Sequence, residues 1–368
     1  MKLVADAGVW TAGPVVAGPP AVAVLELSGA VLAWTVDDPT GAAATRITVT
    51  DVAAADWLWR VVGPTGHAAI SAALDGRAGD AIDLTDVELL PAAVAPLRRL
   101  AVGHWLRRWW PESSRDGVAH LDQALLDGEL AVLTSAAEEF FTEDTLDSDV
   151  DGLLAPHRSA LVALASRGDP RIVDLARSCA LLAEESGVWP AHQVDESAPA
   201  VGRRADYALA AGPDTGRAAG SIAGGVGSVN WIAVPPGVFD AADGTVDWSV
   251  SSADGSMLAT VRVATTGGAG SRGIEVRLRS GAVSAAGVLD ARGTVAMALL
   301  GAGDLPLTET QAWDHDWSAT AVAIGPNGTD SIAAQALRQR VRDVARARLA
   351  RPGPDAFLAE VVAAEFDY

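Results

Sequence analysis

The hydrophobic pattern changes period partway along the chain, and this change most constrains what the chain can fold into. From Pro91 to about residue 187 apolar side chains recur at helical spacing, whereas beyond Arg203 they alternate in twos. One element type cannot satisfy both periods, because a helix repeats every 3.6 residues and a strand every two. The expected class is therefore α+β. Its parts are a mixed N-terminal region over residues 1–90, a helical extension over 91–187 and a linker over 188–203. An antiparallel β-sandwich-like domain follows over 204–324, then C-terminal helices over 325–368.

Local signals refine this. Ala21–Leu27 and Ala30–Val36 flank Ser28-Gly29 as a hairpin, and Arg46–Thr50 alternates as a strand. Asp56–Val62 also alternates, which predicts a strand with Trp57, Trp59 and Val61 on one face. Pro91–Trp110 carries Val94, Ala101, Val102, Trp105, Leu106 and Trp109 on one arc of a helix ended by Pro111. Val118–Phe141 is a second helical pattern, and a third begins near Pro156. Asp169-Pro170 reads as an N-cap followed by a first-turn proline, with Gly187 as the stop. The strands expected next are Asp206–Ala210, Ser228–Val234, Thr245–Val250, Leu258–Ala264, Gly273–Arg279, Val283–Leu289, Thr294–Leu300 and Ser318–Ile324. Two helices after Asp330 are split by Pro352-Gly353-Pro354.

Charge and composition exclude several functions. The formal charge of −20 disfavours nucleic acid and anionic membrane surfaces, which require basic stripes. Lys2 is the only lysine among 27 basic residues, so phosphate-loop, Schiff-base and kinase chemistries have no internal lysine to use. The arginine, alanine and glycine bias is that of a GC-rich bacterial genome. A single cysteine, Cys179, forms no internal disulfide and no cysteine-rich metal site, and it suits a reducing cytoplasm. The uncharged stretches 7–25 and 218–239 are interrupted by prolines and are poor membrane spans or signal segments, so a soluble cytoplasmic protein is expected.

The short motifs lack the context their chemistry needs. Gly268 to Gly273 matches the dinucleotide glycine pattern, but a strand follows it where the pyrophosphate needs a helix N-terminus. Asp147-Ser148-Asp149-Val150-Asp151-Gly152 begins like a calcium loop, yet its twelfth position is Arg158 in place of the bidentate glutamate. Trp313-Asp314-His315-Asp316-Trp317 holds metal-capable side chains that point to alternate faces, so a loop anchored by its tryptophans is expected. Cys179 lies on the apolar side of its helix with Ile172, Ala176 and Leu182, as a buried thiol does. No catalytic residue, cofactor or metal ligand is assigned.

What remains points to binding. Residues 138–151 carry seven carboxylates and no basic residue, with Phe140 and Phe141 among them. Such a density of like charge calls for a counter-charge. Arg338, Arg342 and Arg346 share one face of the C-terminal helix and offer an internal one. A basic partner protein, anchored on Phe140, Phe141, Glu143, Asp144 and Asp147, offers an external one and is the reading preferred here. The expected function is a non-enzymatic protein-binding, scaffold or accessory component of a bacterial multiprotein system. The alternatives are a hydrolase or metal-dependent enzyme built from dispersed Asp, Glu and His, and a carbohydrate-binding module using some of the 12 tryptophans.

Overall fold

The structure is a computed structural model that describes residues 1–6, 8–38, 41–76, 81–141, 149–189, 221–267, 270–326 and 331–366. It is an α+β fold with antiparallel sheets, in two compact units. One comprises residues 1–189 and 331–368, the other residues 190–330. The expected strand Asp206–Ala210, nearly all of the expected linker, and Gly268 and Ala269 of the glycine motif lie outside the described residues.

The first unit opens with β1 (Lys2–Asp6), β2 (Val9–Ala12), β3 (Val22–Leu27), β4 (Ala30–Thr35) and β5 (Arg46–Val49). Helix α1 (Trp59–Gly76) and β6 (Ala81–Asp83) come next. The six strands form one sheet in the order β3-β4-β5-β2-β1-β6. Register places Leu3, Ala12, Ile47, Leu32 and Leu25 in one row across it, and all five are buried. Period two thus creates an apolar face, against which α2 (Pro91–Trp109) packs with Val94, Leu97, Ala101 and Trp105 buried. Indole N–H groups in this core are satisfied: Trp34 donates to Thr45 Oγ1 (2.9 Å), Trp57 to the Ser28 carbonyl (2.7 Å) and Trp105 to that of Pro20 (2.6 Å).

The strand expected over 56–62 is a correction. Asp56–Leu58 is a 3-10 turn that leads into α1. Seven residues of W-x-W alternation were outweighed by the longer helical spacing of Val62, Ile70 and Leu74, all buried. Beyond α2 come α3 (Gln123–Phe140), capped by Asp122, then α4 (Val150–Leu154), α5 (Arg158–Ala165) and α6 (Pro170–Ser186). Asp169 caps α6 through the Arg171 amide, and Gly187 ends it at φ 76°, a left-handed value that glycine adopts without strain.

The second unit contains β7 (Ser221–Gly227), β8 (Val246–Ala253), β9 (Ser256–Val263), β10 (Glu275–Ser280), β11 (Val283–Val288), β12 (Thr294–Ala298), α7 (Glu309–Asp314) and β13 (Ala321–Ile324). Two antiparallel sheets result, β12-β9-β8-β7 and β11-β10-β13. The strand expected over Ser228–Val234 is a correction. Residues 228–234 are a loop with a 3-10 turn, and the glycine-rich segment before them is the strand. The reason is Trp248, which pairs with Gly225. A Cβ on Gly225 would lie 2.8–2.9 Å from its indole ring, so only a glycine strand can lie against it.

The chain then completes the first unit with α8 (Ile332–Ala350), capped by Ser331, and α9 (Leu358–Phe366). Partly buried ion pairs and hydrogen bonds tie this C-terminal segment to α2 and α3 and its two helices to each other. Arg98 meets Asp355 at 3.1 Å, and Arg99 pairs with Glu129, whose other oxygen accepts the Leu358 amide at 2.6 Å. Arg348 grips the fully buried Glu360 through Nε (2.5 Å) and a terminal nitrogen (2.8 Å). Burial pushes the Glu129 carboxyl up, while the Leu358 amide and Arg99 oppose that shift. Among the described residues no helix is long and apolar enough to cross a membrane.

Candidate functional site

A groove of about 880 Å³ opens on the first unit where β1, β2 and β5 meet the segments 42–45 and 87–89. Its lining is mostly apolar and includes Val4, Val15, Ala43, Val87 and Leu89. The strands bring Val4, Thr11 and Arg46 together because cross-strand neighbours share a face: Val4 pairs with Thr11, and Thr11 lies opposite Thr48, two residues from Arg46. Thr11 is buried and donates to the Val4 carbonyl at 3.2 Å. Val4 and Val15 remain open to solvent, so the apolar wall is available. Four charged residues also line it. Arg46 reaches Asp6 (3.7 Å) and the Pro14 carbonyl (3.3 Å), while Lys2 and Glu88 have no ion-pair partner among the described residues. Sequence reasoning missed this site because its parts come from four separate segments, none with a motif. The one available signal was Lys2, the single lysine.

A second constellation lies between α2, α3 and the turn before α5. Asp127, 3% exposed, has Oδ1 2.9 Å from Arg107 Nε and Oδ2 3.0 Å from His157 Nε2. A carboxylate accepts, so His157 donates to it from Nε2. The residues are 20 to 50 positions apart, a spacing without a sequence signature.

The residues named for a basic partner fare differently. Phe141 is buried, and its ring meets Trp57 edge-on at 5.4 Å. It closes the end of α3 and cannot anchor a partner, which corrects that expectation. Its place in the core follows from the cap of α3, where its amide returns to the Ala137 carbonyl. The side chain of Phe140, and Glu143, Asp144 and Asp147, lie outside the described residues. The arginine face of α8 is also not a free counter-charge. Arg338 and Arg342 are buried, Arg342 lies 3.2 Å from Asp116, and Arg346 pairs with Asp343. Reversing their charge would therefore disrupt a core and could not be silent.

The remaining motifs resolve into structure. Asp149 caps α4 through the Gly152 amide at 2.7 Å, and among the described residues no group of three or more His, Cys, Asp or Glu side chains could hold a metal. His315 lies 2.9 Å from Ser280 Oγ, the spacing of a nucleophile and its base. Ser280, however, is fully buried and directs its proton toward the Asp316 carbonyl (3.4 Å), so the pair fastens the loop. Trp317 anchors that loop, donating to the Ala312 carbonyl at 2.8 Å, whereas Trp313 is exposed and does not.

Cys179 is buried, donates to the Gly128 carbonyl at 3.4 Å, and burial pushes its thiol up to about 11. Its thiolate is therefore scarce at neutral pH. Labelling of the native chain with a thiol reagent at pH 7.5 should be at least about a hundredfold slower than in denaturant. Equal rates would show an accessible, reactive thiol.

Comparison with protein-family models, with curated proteins and with solved structures finds no match to this chain.

Proposed function

We propose that the chain is a non-enzymatic protein-binding or accessory component of a bacterial multiprotein system, and that the groove on its first unit is the capture site. The groove carries this reading. Its volume lies in the range of ordinary binding sites, and its apolar lining gains by about 25 cal/mol per Å² when covered. The occupant is an extended segment of a partner protein. Apolar side chains fill its centre, and charges of both signs flank them to meet Lys2 and Glu88.

The test is to pan a displayed peptide library against the whole protein and measure the selected peptides by calorimetry. Binders with an apolar centre are expected. Ala43→Trp, which fills the groove from an exposed position, should weaken them about tenfold or more without moving the melting temperature. Peptides that bind this variant as well as the parent would remove the groove from the account.

A second reading, general-base hydrolysis, draws support from Asp127 and His157. The carboxylate orients the imidazole as a base requires, and Arg107 beside it suits an anionic substrate. It requires that the purified protein hydrolyse activated esters and that His157→Gln abolish the activity.

A further inference from the structure

We propose that Trp313 and Glu309, in the second unit, form a receptor for a cationic side chain, an arginine or lysine presented by a basic segment of a partner protein. The two residues stand four apart on α7, hence on one face. Trp313 is 62% exposed, an unusual position for so large an apolar ring. The helix that carries it is firmly held. Thr308 and Gln311 form a capping box at the start of α7, Ala312 is buried, and the Trp317 indole ties the end of the helix to the Ala312 carbonyl. Trp317 in turn packs on His315 at 4.6 Å and Trp248 at 6.4 Å. The backbone that presents this ring is thus fixed before a partner covers it, which lowers the ordering cost of an interface anchor.

Charge identifies the partner. Glu309, on the same face of α7, and Asp314, next in the chain, are exposed, and neither makes an ion pair among the described residues. The exposed Asp316 caps the following turn through the Ser318 amide. An indole face beside carboxylates attracts a cation and repels an anion. Two of the chain's other tryptophans illustrate the preference. Trp59 already carries the Arg60 guanidinium at 4.7 Å, and Trp109 carries that of Arg108 at 4.0 Å. No cation of this chain lies over Trp313 among the described residues. Guanidinium stacks on indole better than ammonium does, so arginine is preferred to lysine.

The test uses the full chain and a fluorescein-labelled arginine–glycine peptide, with glutamate–glycine and uncharged peptides as controls, followed by anisotropy. The arginine peptide should bind and the controls should not. Trp313→Ala, which leaves net charge unchanged, should weaken binding about tenfold, and Glu309→Gln about threefold, with the melting temperature unmoved in both. Binding within twofold of the parent in Trp313→Ala would show only diffuse attraction to a chain of charge −20 and would overturn the proposal. It would equally fall if a neutral oligosaccharide bound in a Trp313-dependent manner while the arginine peptide did not.

Discussion

Replacing Glu360 with alanine should destabilise the chain by about 3–5 kcal/mol, read from the denaturant midpoint at constant slope. Glu360 is fully buried and accepts two hydrogen bonds from Arg348 and one from the Phe357 amide at 2.8 Å. Removing it strands a guanidinium that is mostly out of water, whose remaining acidic neighbour, Asp355, lies 3.6 Å away. The penalty is chiefly that of a buried, uncompensated charge, and the unmet Phe357 amide adds to it. Glu360→Gln keeps an acceptor for that amide but loses the charge, so it should cost less than alanine. A loss below about 1 kcal/mol for alanine would mean that water reaches Arg348 and that the C-terminal helices are held by their apolar contacts alone.

The second large effect is expected in the other unit. Gly225→Ala should destabilise it by about 1–3 kcal/mol and change the near-ultraviolet signal of its tryptophans. The added carbon would lie 2.8 Å from Trp248, inside van der Waals contact, in a strand pair where neither backbone can move alone. Gly227→Ala is the control, two residues along the same strand. Its nearest neighbour, Val246 Cβ, is 3.8 Å away, an ordinary contact, so the change should be neutral or slightly stabilising through the lost freedom of the unfolded chain. Equal effects at the two positions would mean that Trp248 does not pack on β7 as described.

These two sites mark where the sequence was legible and where it was not. The hairpin at Ser28-Gly29, the helix ends at Asp169 and Gly187 and most of the later strands could be read because each depends on neighbours in the chain. β7 could not, since its Gly225 is dictated by a tryptophan more than twenty residues away. The partners of Arg98 and Arg99 in the C-terminal segment lie 257 positions off, and no periodicity encodes them. Phe141 misled for a related reason. It borders a dense run of carboxylates in the chain, but its ring is committed to Trp57 across the core. The groove was invisible because concavity belongs to the assembled sheet and its flanking loops, and Lys2 alone hinted at it.

The return of α8 and α9 to the first unit has a consequence for synthesis on the ribosome. Arg98 and Arg99, which will receive Asp355 and Phe357, are made early, but those partners follow only after the 141 residues from Pro190 to Asp330. At ordinary elongation rates that interval is about 7–30 s. Throughout it, the face of α2 around Gly103 and Leu130 on α3 lack the phenylalanine that finally covers them. The nascent first unit thus leaves that apolar face uncovered until its last helices arrive, while the strands of the second unit follow one another in the chain and can pair before then.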